Sequence, residues 1–155
     1  GHRVNENSQY MFITGVHGNI DEITPQSFQS LKHAVKTFMR SKAMRWVEEG
    51  IYSLEFGFDP HKESRWRMHF HLLAPIPTTI KNIRALKDAM HVTWREKSLD
   101  DLHISISGNK HDNKRRLKYL SKGNAHASIP AGDLEKLYLA TEGRQLINKF
   151  GNWLK

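Results

Sequence analysis

Apolar residues recur along the chain with two periods. Met11-Phe12-Ile13-Thr14 reads as a strand, and the Gly- and Asn-containing stretch after it predicts a polar loop. Thr24-Pro25 marks a helix start, a hydroxyl cap followed by proline at the first helical position. Phe28, Leu31, Val35, Phe38 and Met39 then fall on one helical stripe, a core face, and Gly50 closes the region. From Ile51 to Phe58 the period changes to two. Tyr52, Leu54, Phe56 and Phe58 share one face of a strand, and Ser53, Glu55 and Gly57 share the other.

After a polar loop over Asp59–Ser64, Arg67 to Ala74 alternates again, with Met68, Phe70 and Leu72 opposite Arg67, His69 and His71. Two such runs around a short loop predict an antiparallel hairpin, which Pro75 and Pro77 end. Ile80, Ile83, Leu86, Met90 and Trp94 mark a second amphipathic helix. Leu102, Ile104 and Ile106 alternate with His103, Ser105 and Ser107 in a further strand. A basic helix follows over about Asp112–Lys122, with Gly123 placed to end it. Pro130 to Lys155 reads as helical, capped by Asp133 and broken near Gly143.

The order strand, helix, strand, strand, helix, strand, then helices predicts an α+β fold. Its pattern is the ferredoxin-like split βαβ, a central antiparallel sheet with helices on one face. The other face, carrying Ser53, Glu55, His69, His71 and His103, is expected to lie open for chemistry.

The 155 residues, 38% of them apolar, suit one domain with a real core. Mean hydropathy is −0.64. No run approaches the roughly 20 apolar residues of a membrane-spanning helix. Cysteine is absent, which excludes disulfide scaffolds, thiolate zinc sites and cysteine nucleophiles and fits a reducing compartment. With 24 Lys and Arg against 16 Asp and Glu, the formal charge is +8, and the pI is about 9.8. That excess points to a polyanion, nucleic acid or an acidic membrane surface, although it also serves solubility. The opening Gly1-His2 reads as a tag-cleavage scar on an excised domain. The closing Gly151–Lys155 still reads as helix, so the natural protein is expected to continue.

His69 and His71, two apart on a strand, point the same way while their neighbours anchor the opposite face. Two imidazoles side by side can bind a divalent cation. If the hairpin closes symmetrically around residues 62 and 63, Glu55 lies across from them on their face. Two nitrogens and a carboxylate leave positions for water or a phosphate oxygen, as a catalytic metal requires. This ligand set suits manganese, zinc or cobalt; magnesium normally prefers oxygen ligands. With ten histidines in the chain, a pair of exposed histidines is the competing explanation, and the facing glutamate argues against it. His17, His61, His91, His111 and His126 have no partner pattern; His103 is placed for a fourth ligand or a phosphate contact.

On the basic helix, Tyr119 and Lys122 are three apart and share a face, with Arg115 and Arg116 one turn earlier. A phenol is a poor nucleophile at neutral pH, but nearby cations favour its ionised form, and a metal can polarise the phosphorus it attacks. Lys122 could hold the scissile phosphate or stabilise the transition state. Tyr10, Tyr52 and Tyr138 have no lysine at this spacing. The competing explanation is a surface basic helix with a tyrosine packed at its edge.

A strand bearing His69-Phe70-His71 and a later helix bearing Tyr119-x-x-Lys122 resemble the HUH endonucleases, and among them the plasmid rolling-circle replication initiators with a single tyrosine. Phe12-Ile13-Thr14 is similar to the family's first motif, and Gly50–Glu55 to the glycine-led strand bearing the acidic ligand. Gly143–Ile147 with Phe150-Gly151 is similar to the segment that follows the tyrosine helix. The stretch Gly15–Asn19 departs from the usual threonine-rich run, and the histidine motif lacks the extra histidine of conjugative relaxases.

The resemblance implies a metal-dependent transesterase. Glu55, His69 and His71 would hold a divalent metal, manganese or magnesium, and Tyr119 would attack the scissile phosphate of single-stranded DNA presented in an origin hairpin. A 5′-phosphotyrosyl link and a free 3′-hydroxyl would result, the latter priming rolling-circle replication. The setting would be the cytoplasm of a bacterial or archaeal plasmid host, with a host helicase and polymerase as partners. Lys110, Lys114, Arg115, Arg116 and Lys118 are candidate phosphate contacts. Arg65, Trp66 and Arg67 at the hairpin tip are candidates for stacking and charge on single strands. A related transposase of the same chemistry is one alternative. A noncatalytic binding module is another, although such a module wants aromatics where this chain has Glu55, His69 and His71.

Overall fold

A computed structural model of the chain describes residues 9–98, 101–108, 111–116, 130–141 and 147–150. Five strands, β1 (Tyr10–Ile20), β2 (Gly50–Phe58), β3 (Trp66–Pro75), β4 (Leu102–Ser107) and β5 (Ile147–Phe150), form one sheet in the order β4-β1-β3-β2-β5. All four pairings are antiparallel. Helices α1 (Pro25–Met39), α2 (Ile83–Ser98) and α3 (Ala131–Thr141) complete the described elements, with a short 3-10 turn at Lys42–Met44 and a helical stretch over 111–116. The fold is α+β, and β1-α1-β2 and β3-α2-β4 are the two split β-α-β units predicted from the periodicity.

Local chemistry sets these elements. Thr24 Oγ1 accepts from the Ser27 amide at 3.1 Å, and Ser27 Oγ accepts from the Thr24 amide at 2.8 Å, a reciprocal cap with Pro25 entering the first turn. The predicted stripe is buried through Phe28, Leu31, Val35 and Phe38. Phe38 of α1, Phe70 of β3 and Trp94 of α2 close an aromatic triangle, with ring centroids 5.0–5.9 Å apart. Each such ring contributes about 1.5–3 kcal/mol by burial. Phe70 stands between His69 and His71 in sequence, so this packing fixes from behind the strand that presents both imidazoles.

Four expectations need correction. First, β1 does not yield to a loop at Gly15 but continues to Ile20 through a register shift between Val16 and Asn19, with Gly18 at φ 100°. That left-handed conformation suits glycine. On the β4 side of the strand, the Val16 amide donates to the Asp101 carbonyl at 3.0 Å, and the Val16 carbonyl accepts from the Trp94 indole at 3.1 Å and the Ser98 hydroxyl at 2.8 Å. Second, the C-terminal region is not all helix. Asp133 lies inside the first turn of α3 rather than capping it, and Ile147–Phe150 adds to the edge of β2; the predicted break near Gly143 lies outside the described residues. Ladder bonds along that edge override a weak helical pattern.

Third, the face opposite the helices is neither wholly polar nor bare. Tyr10, Ile51 and Leu73 are buried there in a second apolar cluster, with Phe12 and Ile147 packed against it, and Ser53 and Glu55 are buried beside it. Fourth, Trp66 is 2% exposed and packs edge-on against Phe58 at 5.0 Å, so it belongs to the core and offers no stacking surface at the hairpin tip. No helix among the described residues is long and apolar enough to cross a membrane.

Candidate metal centre

The β2–β3 hairpin closes about Lys62, with Glu55 opposite His69 and Ser53 opposite His71, so Glu55 shares the face of both histidines as expected; closure midway between residues 62 and 63 would instead set Glu55 opposite Phe70 and on the other face. Glu55 Oε2 lies 2.9 Å from His69 Nε2 and 2.8 Å from His71 Nε2. These three residues are the group among the described residues whose metal-capable atoms gather within 4.8 Å of one another. Ligands about 2.1 Å from a cation are about 3.0–3.4 Å apart in octahedral or tetrahedral arrangement. Oε2 of Glu55 and each imidazole Nε2 therefore need to part by only a few tenths of an ångström to admit one.

The backs of the imidazoles are held as well. His69 Nδ1 donates to the Arg67 carbonyl at 3.2 Å. A carbonyl accepts only, so in the neutral ring the free lone pair is on Nε2, facing Glu55. His71 Nδ1 meets Thr14 Oγ1 at 2.8 Å across the β1–β3 pair, and Phe12 stacks on the His71 ring with centroids 5.4 Å apart and planes 12° off parallel. Such contacts behind a metal-binding histidine orient its ring and raise its basicity. Ser53 Oγ donates to Glu55 Oε1 at 3.3 Å, leaving Oε2 for the histidines.

Glu55 is 3% exposed. Burial pushes its carboxyl up, but the hydrogen bonds from His69 and His71, together with their charges, outweigh burial and hold it down at about 2. A buried carboxylate facing the Nε2 atoms of two imidazoles is an arrangement in which a divalent cation can bind in place of ring protons.

The other candidates divide. Arg67 is exposed, and its backbone carbonyl orients His69. His103 of β4 is exposed, pairs with Thr14 of β1, and is not in the group whose donor atoms gather within 4.8 Å. Arg115 is engaged with Asp112 at 3.5 Å on an exposed surface. Arg116 lies with Cζ 5.1 Å from the centre of the Phe12 ring. Tyr119, Lys122, Lys118 and Lys110 lie outside the described residues. The roles of Thr14 and Phe12 toward His71 were not read from the sequence. They depend on the register between β1 and β3, which are not consecutive strands, and no local pattern encodes it.

No protein-family model matches the chain, and neither does any curated protein sequence. Among solved structures, the chain is similar to a REP-associated tyrosine transposase bound to a REP hairpin. The identity is 10%, the match covers 83% of this chain and 72% of that one, and the TM-score is 0.45. At that distance the likeness says nothing of function, which rests on the site.

Proposed function

We propose that this chain nicks and rejoins single-stranded DNA as an HUH-type transesterase, with Tyr119 as nucleophile and Glu55, His69 and His71 as the seat of a divalent cation, manganese or magnesium. The observation that carries the proposal is the centre itself. Two imidazoles and a buried carboxylate converge on one point, each held from behind, with His69 keyed to present Nε2. A cation held there supplies Lewis-acid polarisation of a phosphate oxygen.

The sequence adds the nucleophile. Arg116 rests on Phe12, which rests on His71, so the helical stretch at 111–116 reaches the metal centre. Tyr119 follows three residues later, the spacing that shares a helix face. In the proposed reaction the Tyr119 oxygen bonds to phosphorus as the P–O3′ bond breaks. The phenolic proton leaves to solvent, and the departing 3′-oxygen takes one up. Lys122 offers a positive charge to the phosphoryl oxygens as the transition state forms. The phosphotyrosyl bond keeps the energy of the broken linkage, so a 3′-hydroxyl can reverse the step.

The finer reading is initiation of rolling-circle plasmid replication at an origin hairpin, with a host helicase and polymerase following. Its support is the resemblance of Gly143–Ile147 and Phe150-Gly151 to the initiators.

The test is incubation with end-labelled single-stranded hairpin DNA and manganese. A covalent protein–DNA band is expected, absent from Tyr119→Phe while that variant still binds DNA. A band undiminished in Tyr119→Phe rejects the nucleophile, and a chain that binds but never forms the band is a binding module.

A further inference from the structure

Several basic residues surround the candidate centre in sequence, and the structure separates two neighbours among them. Arg115 is solvated and engaged with Asp112. Arg116 is half-buried; its guanidinium lies over Phe12 at 5.1 Å, and its Nη1 is shut away from solvent with no hydrogen-bond acceptor among the described residues. A buried donor on a permanently charged group is costly unless an acceptor meets it. The buried carboxylate of the candidate centre, Glu55, is already taken up by His69, His71 and Ser53.

Phe12 decides where an acceptor would lie. Its ring stacks on His71, and the guanidinium lies over the same ring, so Arg116 stands one ring away from a candidate metal ligand. We infer that Arg116 grips a backbone phosphate of the substrate strand next to the scissile one, and so sets which phosphate reaches the metal centre. This rests on the reading of the chain as a single-strand nicking enzyme. Arginine meets phosphate with two parallel N–H donors, and such contacts fix register without reading sequence. Arg116 is thus a positioning residue.

The test is the salt dependence of binding, measured with a labelled single-stranded oligonucleotide in chelator, so that no metal contributes. Each phosphate neutralised on a single strand adds about 0.7 to the slope of log K against log salt. Arg116→Gln should lower the slope by about that amount and weaken binding evenly across oligonucleotides of different sequence. Arg116→Lys, which keeps the charge, should restore the slope. An unchanged slope in Arg116→Gln overturns the inference, as does a loss confined to one sequence, which would mean base recognition. A slope that falls equally in Arg116→Lys also overturns it, because the effect would then come from disturbed packing. If the wild type forms the covalent band while Arg116→Gln keeps its slope, only this inference fails. If the wild type binds no single strand, the functional reading fails with it.

Discussion

Thr14 Oγ1 lies 2.8 Å from Nδ1 of His71, reaching across two strands that are far apart in sequence. The contact fixes the ring whose other nitrogen faces Glu55. Thr14→Val keeps the shape and removes the hydrogen bond. Manganese affinity, read by titration, should fall about 10–100-fold, with little change in melting temperature. An unchanged affinity would show that the Phe12 stack alone orients the ring.

His69→Ala and His71→Ala each remove one nitrogen donor and one partner of a buried carboxylate. Manganese-supported cleavage should disappear in both, and each should cost about 1–3 kcal/mol of stability because Glu55 is left under-satisfied. Cleavage assays with and without chelator check the first point, and urea unfolding checks the second. Wild-type cleavage that persists in excess chelator contradicts the metal assignment.

Acid should expose the charge cluster in the metal-free protein. The Glu55 carboxyl is held at about 2 against an ordinary 4.5. A depressed carboxyl contributes stability that is complete above its unfolded value and is lost as pH falls through the folded one. Glu55→Gln cannot follow that course. The contribution of Glu55, read as the difference in urea midpoint between wild type and Glu55→Gln, should therefore be complete above about pH 4.5 and shrink toward about pH 2. A difference that stays constant over that range rules out the linkage.

Gly15 has no room for a side chain. An added Cβ would overlap Cε1 of Phe70 and sit 2.9 Å from its Cδ1. Phe70 is fully buried between Phe38 and Trp94 and has nowhere to retreat. Gly15→Ala should cost about 1–3 kcal/mol, read as a lowered melting temperature, and Phe70→Leu in the same chain should recover part of it. The paired variant also tests whether the aromatic triangle holds the histidine strand in place, because metal affinity should then fall even where stability returns.

The hairpin and its three ligands were legible because a strand has period two and the loop between the runs is short. Alternation puts Glu55, His69 and His71 on the polar faces of their strands, and the short loop sets the two runs side by side, although the centre of closure is Lys62 rather than midway between 62 and 63. The cap at Thr24-Pro25 was legible for a similar reason, being chemistry between residues three apart. What stayed hidden depends on partners distant in sequence. Gly15 and Gly18 look like loop residues until Phe70 and the shifted register show why glycine is needed there. Ile147–Phe150 is too short to declare itself a strand without the β2 edge beside it. Burial of Tyr10, Ile51 and Leu73 on the site face likewise follows from strand neighbours that no single run reveals.

The three ligands sit on adjacent strands in the interior of the sheet, and their meeting depends on one hairpin alignment. Displacing β2 against β3 by a single residue would turn the Glu55 carboxylate to the opposite side from both imidazoles. A cation therefore rewards correct strand pairing and no near-miss of it. At a hundredfold excess over its dissociation constant it adds about 2.7 kcal/mol to the properly aligned state alone, which makes metal uptake a direct gauge of whether this hairpin has zipped up in the right frame.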